Sequence, residues 1–146
     1  MWITAGMREA EALASLGNVV SDPQQYVRSG QLEIIPHTQW YLRGGTFDRH
    51  TIQKRWKGKA TRARQAGYKG TRVTADLAWL DSATDWDEFG VYEQDVNASL
   101  LEKQIIALCA YSTEQISVER MCATLQCHTH SIREREGHGW AIAQVQ

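Results

Sequence analysis

The sequence is poor in several features that would mark a protein class at once. It has three cysteines, an odd number that does not indicate a disulfide framework, and only two prolines in 146 residues. No apolar run approaches the roughly 18 residues that cross a bilayer. The N-terminus has no basic segment followed by an apolar one, as a secretory signal has. The formal net charge of −1 predicts neither nucleic-acid nor membrane binding, and we expect a cytoplasmic protein.

Common nucleotide and nucleophile motifs are also missing. There is no G-x-x-x-x-G-K-[ST], no G-x-G-x-x-G and no G-x-S-x-G. The pair Gly44-Gly45 precedes a predicted helix capped by Asp48, whose carboxylate would oppose a bound phosphate. We therefore predict no nucleotide and no cofactor.

A metal site is not predicted either. Cys122, Cys127, His128 and His130 lie close in the sequence, but their spacing matches no common zinc pattern. Cys109 lies inside an apolar strand, where a thiol is normally an inert small hydrophobe. His128 follows a predicted helix, and a histidine there more often caps the helix end.

What is present is the composition of a folded domain, with 42% apolar and 23% charged residues. Predicted strands alternate with predicted helices along the chain, which indicates right-handed crossovers and a parallel sheet. We predict one α/β domain over residues 1–146, with three layers, a mostly parallel sheet covered by helices on both faces, and a C-terminal antiparallel hairpin. The strands are expected at Trp2–Thr4, Gln31–Pro36, Gly70–Ala75, Ile105–Tyr111, Ser131–Arg135 and Trp140–Val145.

Three details of this prediction bear on the site. Asp48 caps a helix whose apolar stripe includes Ile52, Trp56 and Ala60. The strand Ile105–Tyr111 is almost wholly apolar and is expected to be covered on both faces. Ser117 caps a further helix, whose predicted inward face is Val118, Met121, Cys122 and Leu125, and the turn Gly137-His138-Gly139 joins the last two strands.

Open parallel sheets bind ligands beyond the carboxyl ends of their strands. The loops at that edge carry four aromatic residues and one carboxylate, a lining that suits a small apolar ligand with one polar group. The alternative is that the aromatic side chains simply close the end of the core. The residues are Trp40, Tyr41, Asp76, Trp79 and Tyr111.

Charge and acid–base groups leave two other hypotheses open. Residues 49–72 contain nine basic residues and no acid, whereas residues 76–102 contain eight acids and no base. These segments suit a solvated surface or contacts in a homo-oligomer better than nucleic acid, because no aromatic platform or reader motif accompanies the basic charge. An enzyme would need Asp76, Glu93 or His128 to converge on one cavity.

Several stretches together resemble the MEDS sensory domain, a methanogen/methylotroph domain named from a dichloromethane-responsive regulator. His128 matches a histidine that the family tends to carry after its last helix, and REREGHGW is similar to its terminal hairpin. The other matching pieces are WIT at Trp2, SGQLEIIP at Ser29, WYLRGGTFD at Trp40, AGYKGTRVTADLAWL at Ala66, YE-x-x-V-N from Tyr92 to Asn97, and IALCAYS at Ile106.

The resemblance implies a cytoplasmic sensor of simple hydrocarbon derivatives. It does not establish catalysis, and we do not expect an enzyme. The resemblance also implies a sheet similar to that of RecA without a phosphate loop, and a signalling partner such as a histidine kinase or a DNA-binding regulator. The ligand-binding candidates that it carries over are Trp40, Tyr41, Asp76, Trp79, Tyr92, Glu93, Asn97, Tyr111 and His128.

The chain also departs from the family pattern. A first strand and helix of the family are not matched before Trp2, and no output domain follows Gln146. The unmatched strand is a central one in sheets similar to that of RecA. We therefore expect that the chain is a fragment, that its sheet closes differently, or that a second copy fills the gap.

Overall fold

A computed structural model describes residues 1–80, 83–100, 104–135, 137 and 139–145. The strands are β1 (Trp2–Thr4), β2 (Ile34–Pro36), β3 (Thr71–Asp76), β4 (Ile105–Ala110), β5 (His130–Arg135) and β6 (Gly139–Gln144). The helices are α1 (Glu9–Gly17), α2 (Pro23–Arg28), α3 (His37–Trp40), α4 (Arg49–Gln65), α5 (Ala83–Leu100) and α6 (Val118–Gln126). None of the described helices is long and apolar enough to cross a membrane.

Four strands form one parallel sheet in the order β2-β1-β3-β4. β1 pairs with both β2 and β3, and β3 pairs with β4 from Thr71 opposite Ile105 to Asp76 opposite Ala110. The described strands are therefore continuous, and β3 and β4 are not separated by a vacant strand position. The predicted α/β fold with a parallel sheet is confirmed.

Helices lie on both faces of this sheet. The chain passes from β1 to β2 in one direction and then from β2 to β3 and β4 in the other, so right-handed connections place α1 and α2 opposite α4 and α5. The core lies between the sheet and the α4–α5 layer. It is built from Ile3 and Val73 of the strands, Ile52 and Trp56 of α4, and Phe89 of α5.

α4 has the predicted cap and the predicted buried face. The Asp48 carboxylate accepts hydrogen bonds from the backbone N–H groups of His50 (3.0 Å) and Thr51 (3.3 Å), which would otherwise lack partners at the helix start. Ile52, Trp56 and Ala60 are buried. This helix closes one side of the candidate site.

The prediction that β4 is covered on both faces is wrong. Ile105 is 5% exposed and faces the core, whereas the next residue, Ile106, is 66% exposed, and Leu108 is exposed on the same side. β4 is the edge strand of the described sheet. The helices that connect β2, β3 and β4 lie on its inner face, and its other face is left exposed at Ile106 and Leu108. Its apolar run therefore supplies one core face and one open face.

The predicted inward face of α6 is also wrong. Val118, Met121, Cys122 and Leu125 are all exposed. A different face of the helix turns inward, where the Arg120 guanidinium lies 5.3 Å from the ring of Trp86 on α5. Cys127, directly after the helix, is buried. The inner side of the helix therefore carries Arg120 and is continued by Cys127, and its apolar stripe faces outward.

The C-terminal hairpin forms as predicted, but as a sheet of its own. β5 and β6 pair antiparallel from His130 opposite Gln144 to Arg135 opposite Gly139. Of the predicted turn, Gly137 has a positive φ of 71°, and His138 lies outside the described residues. The hairpin thus does not extend the parallel sheet.

Candidate functional site

Asp76 ends β3 and ties two strand ends together. One carboxylate oxygen accepts from the backbone N–H of Ala5, directly after β1, at 3.3 Å, and the other accepts from Ala78 at 3.1 Å. Both oxygens are therefore engaged by backbone donors. This geometry explains Asp76 as a residue that holds the strand ends together, and it gives no support to the acid–base role of the alternative enzyme hypothesis. The ligand contact carried over for Asp76 stays a prediction.

The predicted aromatic residues form a packed cluster at the same edge. The ring of Tyr41 lies 5.2 Å from Trp79, 5.8 Å from Phe89 and 6.2 Å from Tyr92. Phe47 packs among the same rings. Tyr41 and Tyr92 are buried, so the rings fill the end of the core rather than line an open crevice. The ligand contacts carried over for them stay a prediction.

Trp40 sits beside this cluster rather than inside it. Its ring meets Trp56 edge-on at 4.9 Å, and the Trp56 indole N–H donates to the Tyr92 hydroxyl at 2.6 Å. Within the described part of the chain, the indole nitrogens of Trp40 and Trp79 are buried without a hydrogen-bond partner. Such groups are uncommon in cores because leaving a buried donor unpaired costs about 1–3 kcal/mol.

Three other predicted residues do meet, and a fourth joins them. The Tyr111 hydroxyl donates to Glu93 Oε2 at 2.5 Å, His128 Nε2 lies 3.4 Å from the same oxygen, and Cys109 Sγ lies 3.5 Å from Glu93 Oε1. Glu93 comes from α5, Cys109 and Tyr111 from the end of β4, and His128 from the end of α6. We call these four residues the Glu93 cluster.

The cluster is deep but reaches the surface. The Glu93 side chain is 8% exposed and that of His128 is 26% exposed. The His128 Nδ1 lies 2.8 Å from the Thr124 carbonyl oxygen, so Nδ1–H is the donor there and Nε2 is turned toward Glu93. The imidazole ring of His128 is therefore the part of this contact that solvent reaches most readily.

Burial dominates the electrostatics of the cluster. It raises the pKa of the Glu93 carboxyl group, and the opposite effects of His128 and the hydrogen bonds from Tyr111 and Cys109 offset part of that rise. Burial also raises the pKa of the Cys109 thiol and of the Tyr111 hydroxyl, and the charge of Glu93 adds to both. At neutral pH the thiol and the phenol are therefore hydrogen-bond donors to the carboxyl group, and the thiol is not an activated nucleophile.

Sequence reasoning missed Cys109, whereas the ligand contact carried over for Asn97 stays a prediction. Cys109 was expected to be inert, but its side chain points from β4 toward α5, where Glu93 lies. The one available signal was the alternation of side chains along a strand, which places residues 105, 107 and 109 of β4 on the same face. Asn97 is half-buried on α5 one turn after Glu93.

Two surface grooves lie away from the Glu93 cluster. One, of about 920 Å³, runs between α3 and α4, and five of its lining residues are basic: Arg43, Lys54, Arg55, Lys59 and Arg62. A second, of about 520 Å³, lies between α4 and α5. Arg55 donates to the Trp40 carbonyl oxygen and Lys59 pairs with Glu33, so two of the five cations are already engaged.

Among the described residues, the cysteine–histidine group Cys122, Cys127, His128 and His130 does not converge. Cys122 is exposed, whereas Cys127 is buried with its thiol 3.4 Å from the Ala123 carbonyl oxygen. The close spacing of these residues in sequence therefore has no counterpart in the fold.

Comparison with known proteins gives one result for the family and none for individual relatives. No curated protein and no solved structure matches the chain. The family described as the MEthanogen/methylotroph, DcmR Sensory domain, or MEDS, matches residues 1–129, which run from β1 to the end of the Glu93 cluster. MEDS is a family of sensory domains and not a known enzyme family. The chain therefore belongs to the MEDS family of sensory domains.

Proposed function

We propose that this protein senses a small, mostly apolar organic molecule that carries one polar group, and that the polar group binds at the Glu93 cluster. The family supplies the sensory role, and simple hydrocarbon derivatives are the ligand class that the resemblance implies. Trp86, which is partly buried and stacks on Tyr111, supplies an apolar surface beside the buried carboxyl group.

One observation carries this proposal. Glu93 of α5 is a nearly buried carboxyl group on which a hydroxyl and a thiol from the end of β4 and an imidazole from the end of α6 converge. Burying an ionisable group costs several kcal/mol unless partners compensate, so a core has no need of one. The cluster also lies at the carboxyl end of β4, the edge where parallel sheets bind ligands.

The same arrangement links the ligand to a signal. Glu93 belongs to α5, whereas His128 ends α6, so a molecule that hydrogen-bonds to either group alters the contact between the two helices. A ligand that binds one arrangement of α5 and α6 better shifts the population toward it. The exposed apolar face of α6, with Val118, Met121 and Leu125, would then present the change to a signalling partner such as a histidine kinase or a DNA-binding regulator.

Trp86 makes the proposal testable by fluorescence. Its ring is stacked on Tyr111 with the centroids 6.0 Å apart, so binding at the cluster changes its surroundings. A panel of short alcohols, aldehydes and halogenated alkanes is titrated into the protein while tryptophan emission is followed. We expect a saturable change for at least one compound.

Matched variants locate the response. Trp86→Phe should abolish the emission change, whereas Trp140→Phe, which alters an exposed hairpin residue, should leave it intact. Glu93→Gln, with its fold checked by circular dichroism, should weaken binding of the responding compound at least tenfold. A panel without any response, or a response that persists unchanged in Glu93→Gln, would contradict the proposal.

A further inference from the structure

Three members of the Glu93 cluster are groups that bind transition metals. Their ligating atoms, a carboxylate oxygen of Glu93, Sγ of Cys109 and Nε2 of His128, all lie within 4.8 Å of one another. Thiolate, imidazole and carboxylate together suit zinc and its neighbours, whereas magnesium and calcium prefer oxygen ligands alone.

The separations fit one shared ion. Zinc lies about 2.3 Å from sulfur and about 2.0–2.1 Å from nitrogen or oxygen in a tetrahedral site, which puts neighbouring ligand atoms roughly 3.3–3.5 Å apart. In the protein, Cys109 Sγ is 3.5 Å from Glu93 Oε1, and His128 Nε2 is 3.4 Å from Glu93 Oε2. Each separation is close to one edge of a tetrahedral site. Because they involve the two different oxygens of Glu93, binding through one oxygen requires a small shift of the carboxylate toward the shared ion.

The surrounding groups orient the ligands as in metal sites. The His128 Nδ1–H donates to the Thr124 carbonyl oxygen, which fixes the tautomer and leaves the Nε2 lone pair toward the cluster. The Tyr111 hydroxyl donates to Glu93 Oε2 and fixes the carboxylate. Both contacts are of the kind that holds metal ligands in place from outside.

We propose that Glu93, Cys109 and His128 bind one zinc-like divalent transition-metal ion, with Tyr111 and Thr124 as positioning residues and the fourth coordination position open. Three protein ligands with an open position characterise zinc sites that bind a further molecule, whereas purely structural zinc has four. The sequence does not predict this site. Cys109 lies 16 positions after Glu93, and His128 lies 19 positions after Cys109, a spacing that matches no metal-binding motif.

Binding the ion requires protons to leave. Cys109 loses its thiol proton and binds as a thiolate, and the proton that Glu93 and His128 share is released, so that the carboxylate and the neutral imidazole both bind. The two positive charges of the metal then balance the thiolate and the carboxylate. No electron transfer or other reactant is involved.

The metal-binding proposal does not depend on the sensory proposal, although the open coordination position connects the two proposals. If the proposed function holds, the polar group of the ligand would occupy that position, past the partly exposed His128 ring. This extension rests on the proposed function, whereas the three-ligand site does not.

Cobalt provides the direct test. The full chain is treated with a chelator, dialysed and titrated with Co²⁺ in the absence of any organic compound. We expect one equivalent to bind, with a near-ultraviolet thiolate-to-cobalt charge-transfer band and the intense visible bands of tetrahedral cobalt. One equivalent of Zn²⁺ should remove both features.

The chain offers matched controls for two of the three ligands, Cys109 and His128. Cys109→Ser and His128→Asn should weaken Co²⁺ binding at least tenfold, and Cys109→Ser should also lose the charge-transfer band. Cys122→Ser and His130→Asn change nearby exposed residues of the same types and should bind like the parent. Binding without a charge-transfer band, loss of binding in Cys122→Ser, or no binding by the parent would overturn the proposal.

A measurement on the unchanged protein covers the case in which the ligand variants do not fold. X-ray absorption of the zinc-loaded parent should show one sulfur at about 2.3 Å and nitrogen or oxygen at about 2.0–2.1 Å. No sulfur, or more than one, would overturn the site. Repeating the fluorescence panel with and without chelator separates the two proposals. A response to an organic compound without metal binding contradicts the metal site alone. Metal binding without a response to any organic compound contradicts the sensor alone.

Discussion

At the scale of single residues, the buried carboxyl group of Glu93 shapes the chemistry of the interior. Its raised pKa shows that burial opposes its charge, and the donors around it recover part of that cost. Glu93, Tyr111 and His128 were each predicted as site residues from the sequence, and the fold brings these three together. Cys109 was missed because an apolar strand pattern indicates the side of the strand on which a residue lies. It does not indicate which residue of another element lies opposite.

Tyr111→Phe tests the strongest contact of the cluster. The substitution removes the hydroxyl that donates to Glu93 and should lower the free energy of unfolding by about 1.5–3 kcal/mol, the range for hydrogen bonds to charged groups. Urea unfolding gives the value. Tyr68→Phe, at an exposed position, is the control and should change stability by less than about 0.5 kcal/mol. Equal effects of the two substitutions would contradict the contact.

At the scale of elements, α4 was predicted well because its signals are local. Asp48 caps its own helix within three residues, and the stripe of Ile52, Trp56 and Ala60 needs only the 3.6-residue period. The inner faces of β4 and α6 were predicted wrongly because an apolar pattern does not say whether a partner lies opposite. An edge strand and a terminal helix carry apolar residues that this fold leaves exposed.

The cap of α4 should make stability depend on pH. Hydrogen bonds from the Thr51 hydroxyl and backbone hold the pKa of Asp48 below its usual value, so the carboxylate stabilises the fold above the unfolded pKa, and this is lost as pH falls through the folded pKa. Asp48→Ala should lower the melting temperature at pH 7. The difference in melting temperature between Asp48→Ala and the parent should shrink below about pH 4. Melting curves over a pH series measure it.

The control for this prediction is Glu114→Ala, which changes an exposed acid outside the helices. Its melting temperature should follow that of the parent across the series. A gap between Asp48→Ala and the parent that stays constant down to low pH would show that the charge of Asp48 does not contribute.

Adjacent positions in β4 test which face of the strand is covered. Ile105→Thr places a hydroxyl in the core and should destabilise the protein by about 2 kcal/mol or more. Ile106→Thr keeps the β-branched shape on the open face and should change stability by less than about 0.5 kcal/mol. Urea unfolding compares the two. A similar cost at both positions would mean that both faces are covered, as the sequence had suggested.

At the scale of the whole molecule, the tryptophans report how the chain is divided between core and periphery. Trp40 and Trp56 are buried, whereas Trp140 on the hairpin is 72% exposed. Iodide should quench a distinct accessible fraction of the emission. Trp140→Phe should remove most of that fraction, and Trp40→Phe should leave it. Unchanged quenching in Trp140→Phe would indicate that the hairpin is packed against something in solution.

The sequence by itself determined the order of the strands and of the longer helices, the parallel sheet, the cap of α4 and the family, because alternation, capping and motif order are local properties of the chain. The short helix α3, which carries Trp40, lies where a loop was predicted. Only the tertiary structure decided which faces of β4 and α6 are covered, that Asp76 holds the strand ends together, and that Cys109 meets Glu93 and His128. These features depend on which segments lie opposite one another once the sheet has closed. Spacing along the chain does not encode that proximity.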